Sequence, residues 1–447
     1  MRTFPFSCHL VGAASLVAAT LAAAPSAFAQ APLTLVDAIA RARAHNPDVG
    51  AAAAAGEEAA ARLAQARSGY LPRVDAVESW QHGTNPVFAF SARLAQRRFT
   101  AGDFALDAIN DPAATDDFRT AVSVEQPLFD RATRAAVRAA SIGREMAETA
   151  QRLVGQDLAT AVTEAFGGVL IAAATARSAA AAVETARADR ELAGNRRDAG
   201  KVTDADVLQL DVYLARTREQ QVQASSDERI ARARLNQLLG EPLGTTFALD
   251  ATPPAIAIEI ARPEDLEAEA VKNRPETALA GQQARLAAAA VDAARAAFLP
   301  QVAAQAAWEL HGPAWDTRAS SWMAGVVVRI NLFRGLADQA RLAEAHAQAT
   351  RRAHERSKAE TLARLDVQIA LARLEAAQAS EVVGRAAADQ ARESRRIIRD
   401  RYESGLADAT TLLRAAEAVQ QADLQQIAAR VGVLTATATL QRATGRP

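Results

Sequence analysis

The side chains able to do covalent or metal chemistry are sparse and badly spaced for it. His346 and His354 stand eight residues apart, and His45, His82 and His311 are scattered, so no histidine set has metal-ligand spacing. The single cysteine is Cys8, close to the amino terminus. There is no phosphate-binding glycine loop, and no carboxylate pair rises above the general Asp and Glu density, so the sequence offers no catalytic site, no cofactor site and no metal site. What remains is electrostatic. Asp204, Asp206 and Asp211 follow one glycine, Gly200, and Arg401, Tyr402, Thr411 and Arg414 surround a second, Gly405. Opposite charges one to three turns inside two glycine turns motivate an Asp206 to Arg414 closing contact; the competing reading is that Asp204, Asp206 and Asp211 are helix N-terminal acids favoured by the dipole.

Those glycines belong to a duplication. Ala66–Val74 (ARSGYLPRV) returns as Ala294–Val302 (ARAAFLPQV), 228 residues on, and the same displacement carries Asn46-Pro47-Asp48 onto Arg274-Pro275-Glu276. Further along the displacement is 205: Gly200 falls on Gly405, Leu208 on Leu413, and Gly240 with Pro242 on Gly445 with Pro447. Between these, Pro127-Leu128-Phe129-Asp130 matches Asn331-Leu332-Phe333-Arg334 at a displacement of 204, so the first copy carries 24 additional residues between Pro72 and Leu128. A repeat this long means two similar supersecondary units rather than a short-period solenoid.

Each copy reads as a helix, two strands, a very long helix and a return helix. The first spans 30–242, with strands near 73–91 and 117–128, a long helix over 130–198 and a return helix over 203–239. The second spans 264–447, with strands near 301–311 and 320–333, a long helix over 335–402 and a return helix over 408–444. Residues 243–263 link them, and Ile256, Ile258 and Ile260 alternate as in a short strand. Both long runs lack proline and at ~1.5 Å per residue would reach on the order of 100 Å. Leu362, Leu365, Ile369, Ala372, Ala376, Ala379, Val383 and Ala386 recur with a seven-residue period, a coiled-coil seam rich in small residues. Each long helix stops at a glycine (RRDAG, Arg196–Gly200; RYESG, Arg401–Gly405), a C-cap and turn signal that makes each pair a helical hairpin.

Residues 1–29 read as a secretory signal peptide: Arg2, an apolar run from Leu10 to Ala24, and Ala27-Phe28-Ala29 before Gln30. Without Arg2 the remaining chain carries 50 basic and 52 acidic residues, with no clustered basic face for nucleic acid. No stretch beyond the leader reads as long and apolar enough for a spanning helix. All four tryptophans fall in the strand windows. Trp80, Trp308 and Trp322 are the candidates for a membrane-interface girdle, with ordinary sheet packing as the alternative. The residues around His82 to Asp117, with Gly83, Asn85-Pro86, Gly102 and Asp111-Pro112, read as one long loop. Four strands per chain leave two open edges, which lipid does not tolerate, so strands in a membrane would require neighbouring copies.

This order of elements, with Leu-Pro opening each strand pair, resembles the TolC family of outer-membrane efflux proteins over nearly the whole chain after the leader. RYESGLADATTLLRAAEAV (Arg401–Val419) carries the most specific match, an Arg-Tyr pair, a glycine three residues on and a leucine eight after it. The resemblance implies a mainly α fold with a small β part. Three chains would join as a homotrimer, giving a 12-stranded β-barrel in outer-membrane lipid continued by an α-barrel across the periplasm. It further implies a passive duct for efflux or type I secretion whose tips dock a periplasmic membrane fusion (adaptor) protein coupled to an inner-membrane pump. On that match the docking residues are Gly200, Lys201 and Val202 with Gly405, Leu406 and Ala407. The periplasmic gate is Asp204, Asp206, Arg401, Tyr402, Thr411 and Arg414. The chain departs from the family at Ala199 and Ser404, where valine is common, and at Thr411 and Arg414, where some members place acidic rings. A soluble periplasmic coiled-coil scaffold or adaptor is the competing reading; fractionation with the outer membrane distinguishes them.

Overall fold

A computed structural model describes residues 32–250 and 262–446. The signal peptide and the Ile256–Ile260 alternation lie outside the described residues. The first half runs α1 (Leu35–His45), α2 (Pro47–Ser68), β1 (Arg73–Gly83), α3 (Pro86–Ala95), a 3-10 turn at Ala101–Phe104, α4 (Leu106–Asn110), β2 (Thr115–Phe129), α5 (Arg131–Asp198) and α6 (Asp204–Leu239). The second runs α7 (Pro263–Asn273), α8 (Pro275–Ala296), β3 (Gln301–Ala314), β4 (Thr317–Arg329), α9 (Ala337–Glu403) and α10 (Ala409–Thr444).

Local chemistry sets the boundaries. Asn46 ends α1 and caps α2, accepting from Asp48 N at 2.8 Å, while Pro47 occupies a first-turn position where its missing N–H is no loss. At the far ends of α6 and α10, Gly240 and Gly445 adopt φ of 71° and 75° and donate to Gln237 O and Arg442 O, while the next residues, Glu241 and Arg446, donate to Asn236 O and Gln441 O. Both glycines also sit against the X-Pro junction of their own half. A Cβ at Gly240 would lie 2.5 Å from His45 O, and one at Gly445 2.8 Å from Arg274 N. The duplication is thus preserved in three dimensions: Ala42, Val162 and Leu235 pack in one core, and Ala270, Val367 and Leu440 in its counterpart.

The four strands form one antiparallel sheet in the order β1-β2-β3-β4. Pairing Trp80 with Phe118, and Val122 with Trp308 and then Trp322, puts side chains of one parity on one face. That face carries Val74, Ala76, Trp80, Val122, Val124, Trp308, Trp322, Ala324 and Val326; the opposite face carries Asp75, Ser79, Asp117, Arg119, Ser123, Glu125, Gln305 and Glu309. Among the described residues β1 and β4 are open edges.

Several expectations change. The strand expected over 73–91 ends at Gly83, because Asn85 caps α3 through its side-chain oxygen on Phe88 N (3.1 Å) and Pro86 starts the helix. The region expected as one long loop accordingly contains two helices and a 3-10 turn. β4 stops at Arg329, short of the expected 333. The seven-residue stripe of α9 meets nothing in its own chain among the described residues: Leu362, Leu365, Ile369 and Val383 are exposed, while a neighbouring stripe, Ala363, Val367, Ala370 and Leu374, packs on α7 and α10. Finally, α5 does contain a window long and apolar enough to span a membrane. Its Val162, Phe166 and Val169 pack against α1, α6 and α10, which is why the run is apolar. At Gly167 the α5 backbone passes so close to α10 that a Cβ would lie 2.5 Å from Val431 Cγ1.

Candidate functional site: hairpin tips and a two-faced sheet

The two tips are built alike. At the first, Gly200 (φ 71°) donates to Arg197 O and Lys201 to Arg196 O, both at 2.8 Å. At the second, Gly405 (φ 79°) donates to Tyr402 O at 3.0 Å and Leu406 to Arg401 O at 2.8 Å. Positive φ explains the glycine at each turn, since residues with a Cβ rarely adopt that backbone conformation. Gly200, Lys201, Gly405 and Leu406 are exposed, and Val202 and Ala407 half-buried, so the six residues assigned to docking form the outer surface of the two tips.

The residues assigned to the gate separate into caps and core. Asp206 closes a capping box on α6, accepting from Thr203 N at 2.9 Å and Thr203 Oγ1 at 2.7 Å, and Thr411 N donates to Asp408 at 2.8 Å to start α10. The Thr411 hydrogen bonds hold the Asp408 carboxyl below the usual carboxylate range. Asp204 lies 3.8 Å from Arg197. Arg401 and Arg414 are exposed. Among the described residues of one chain no ion pair joins Asp206 to Arg414.

Tyr402, by contrast, is 1% exposed and packs on Ala409 and Leu412. Its partner is one that the sequence reading did not single out. Arg196, at the end of α5, reaches the end of α9, donating to Tyr402 O and to Glu403 O (3.2 Å) and stacking over the Tyr402 ring at 4.9 Å. One turn and more inside, Asp189 is 1% exposed, with neither carboxylate oxygen hydrogen-bonded among the described residues and Arg395 Nη2 3.7 Å away. Burial pushes the Asp189 carboxyl above its ordinary range against the opposing pull of Arg395. Burial likewise pushes the Tyr402 phenol up. Arg190 to Asp211 (2.8 Å) and Arg392 to Asp423 (2.6 Å) tie each long helix to its return helix nearby. The tips are thus held to each other by arginines crossing from one hairpin to the other, and no sequence spacing marks such pairs.

In the sheet, Trp80, Trp308 and Trp322 share the apolar face, all exposed, with Trp322 at 79%. They do not form one row: Trp80 pairs across to Phe118, while Trp308 and Trp322 lie opposite Val122, four residues along β2. Among the described residues no group of three or more His, Cys, Asp or Glu is placed to hold a metal ion.

The family model described as outer membrane efflux protein matches residues 38–241 and 266–446. Protein CyaE of Bordetella pertussis is 30% identical over 398 residues, covering 86% of this chain and 78% of its own. Among solved structures, the outer-membrane channel OprN superposes with a TM-score of 0.78 at 22% identity, covering 92% of this chain and 90% of that one. The outer membrane protein VceC of Vibrio cholerae gives 0.76 at 19% identity, covering 92% and 96%. The chain belongs to the outer membrane efflux protein family, the TolC-type channels that serve efflux and secretion as passive conduits and not as enzymes.

Proposed function

We propose that three copies of this chain assemble into an exit duct that crosses the outer membrane and the periplasm. The observation that carries the reading is the sheet: four strands with two open edges, an apolar face bearing three tryptophans and a polar face bearing Arg119, Glu309 and Glu125. Unpaired edges are prohibitive in lipid, and the alternation suits a barrel wall with lipid outside and water inside. Joining β1 of each copy to β4 of the next gives twelve strands and leaves no edge. The exposed stripe of α9, Leu362, Leu365, Ile369 and Val383, supports the same assembly along the helical tunnel, because it is an apolar face with no partner among the described residues of its own chain.

In this reading residues 30–242 and 264–447 are the two repeats, joined by 243–263 around the middle of the tunnel. The glycine tips face the periplasm, and Gly200, Lys201, Val202, Gly405, Leu406 and Ala407 meet the adaptor that couples the duct to an inner-membrane pump. Asp204, Asp206, Arg401, Tyr402, Thr411 and Arg414 border the opening there. Energy comes from the pump and the duct supplies only the path. Purified protein placed in a planar lipid bilayer tests this: discrete channels from a species that fractionates with outer membranes are expected, and a periplasmic protein that yields no channel refutes it.

A further inference from the structure

The second copy closes its strand hairpin with two residues, Trp315 and Asp316, whereas the first spends residues 84–114 on the same connection. That insert is a folded unit with its own small core. Phe99 packs edge-on against Phe90 (4.6 Å) and Phe104 (5.1 Å), and Arg93 pairs with Asp103 at 2.7 Å. It lies at the end of the sheet remote from the long helices, because Arg73 and Phe129, at the other end, join α2 and α5.

We propose that residues 86–110 are a lid folded inward over the outer mouth of the pore, tethered to the polar face of the sheet. The proposal rests on the barrel reading above, which makes the polar face the lumen. Gln96 Nε2 donates to Asp117 Oδ1 at 3.0 Å and to Asp116 O at 2.7 Å, and Arg97 Nη2 reaches across to Ser320 O on β4 at 2.9 Å. Asp117 stands on the polar face, and a chain of contacts continues from it along that face to His311 Nδ1 (2.8 Å), Glu309 and Arg119. Cover is graded as a lid requires. The side chains of Asp117 and His311 are 7% and 12% exposed, whereas that of Arg119, farther from the insert, is 42% exposed. Ala89 and Ala92 of α3 are buried, and α3 packs on β2 and β3. A connection standing out in the medium would leave Asp117 and Gln96 hydrated. Three such inserts, each led by a helix roughly 10 Å across, would project into one lumen and restrict entry from outside.

The test reads pore access from the outside, where the state of the periplasmic tips has no influence. Ser123, exposed on the polar face six residues beyond Asp117, lies roughly 20 Å deeper at ~3.3 Å per residue. Ser123→Cys is expressed in cells, with and without Gln96→Glu, and in a chain lacking residues 86–110. Labelling uses a membrane-impermeant maleimide–polyethylene glycol of a few kilodaltons. Gln96→Glu exchanges a donor for a carboxylate beside Asp117, which by the worth of one charge-assisted hydrogen bond raises labelling about tenfold, and removal of the insert raises it at least as much. Val122→Cys, on the apolar face, stays unlabelled. Equal labelling of Ser123→Cys in all three chains, with Val122→Cys unlabelled, overturns the lid and leaves the barrel standing. Labelling of Val122→Cys at the rate of Ser123→Cys overturns the face assignment and the lid with it. Should the shortened chain fail to reach the outer membrane, Gln96→Glu decides alone.

Discussion

Replacing Arg196 with alanine should part the two tips without unfolding the helices. Arg196 holds the end of α9 by donating to two terminal carbonyls, Tyr402 O and Glu403 O, and by stacking on the Tyr402 ring. A charge-assisted hydrogen bond contributes about 1.5–3 kcal/mol and a cation–π contact about 0.5–1. The freed carbonyls can take water at the exposed tip, which offsets part of this, so the net loss is about 2–3 kcal/mol and the parted population rises roughly 30- to 150-fold. Hydrogen exchange measures it directly, because Gly405 N and Leu406 N are bonded to Tyr402 O and Arg401 O. Their protection in Arg196→Ala should fall by about two orders of magnitude, while amides in the middle of α9 keep theirs. Arg196→Lys should fall in between, since an ammonium lacks the planar fork that spans two carbonyls and stacks on a ring. Unchanged exchange at Gly405 and Leu406 in Arg196→Ala would show that the crossing arginine does not join the hairpins.

The remaining expectations concern packing, burial and the sheet. Gly167→Ala should destabilise by about 1–3 kcal/mol in thermal melts, because its Cβ strikes Val431, and Val431→Ala should recover most of the loss; Gly143→Ala, with open space around it, should gain up to about 1 kcal/mol. Asp189→Asn should stabilise near neutral pH. With burial holding the folded carboxyl above the ordinary carboxylate range, the charged form opposes folding once the pH exceeds that range. The difference from the parent in melting temperature should therefore vanish as the pH drops below the ordinary carboxylate range, where both states are protonated. Val326→Arg, on the apolar face of the sheet, should cost about 2–4 kcal/mol near a membrane midplane and lower the amount assembled in outer membranes, whereas Gln305→Arg on the polar face should be tolerated.

What the sequence disclosed was whatever rests on local backbone chemistry. Gly200 and Gly405 were legible as turns because positive φ leaves little choice of residue, and the strands because β3 and β4 alternate at period two. Asn85-Pro86 was misread because the same dipeptide serves a loop and a capped helix start, and only the pairing of Gly83 with Thr115 shows where β1 ends. The α9 run was legible as an apolar stripe, but that helix has two such stripes side by side, and sequence period alone does not say which one its own chain covers. The Arg196–Tyr402 and Asp189–Arg395 contacts were illegible for a different reason. They join positions 206 residues apart in each case, and nothing in either hairpin marks its partner.

The central claim is that the open edges of the sheet, β1 and β4, are completed by neighbouring copies into a closed ring of three. Cysteine pairs in one chain, one along Val77–Gln81 of β1 and one along Ala319–Met323 of β4, test it, with the only native cysteine, Cys8, replaced by serine. Oxidation in outer membranes should yield, for the pairs in register, a covalent ladder that ends at the trimer. Chains that remain monomers at every pair, or a ladder that continues past three, would contradict the closed ring.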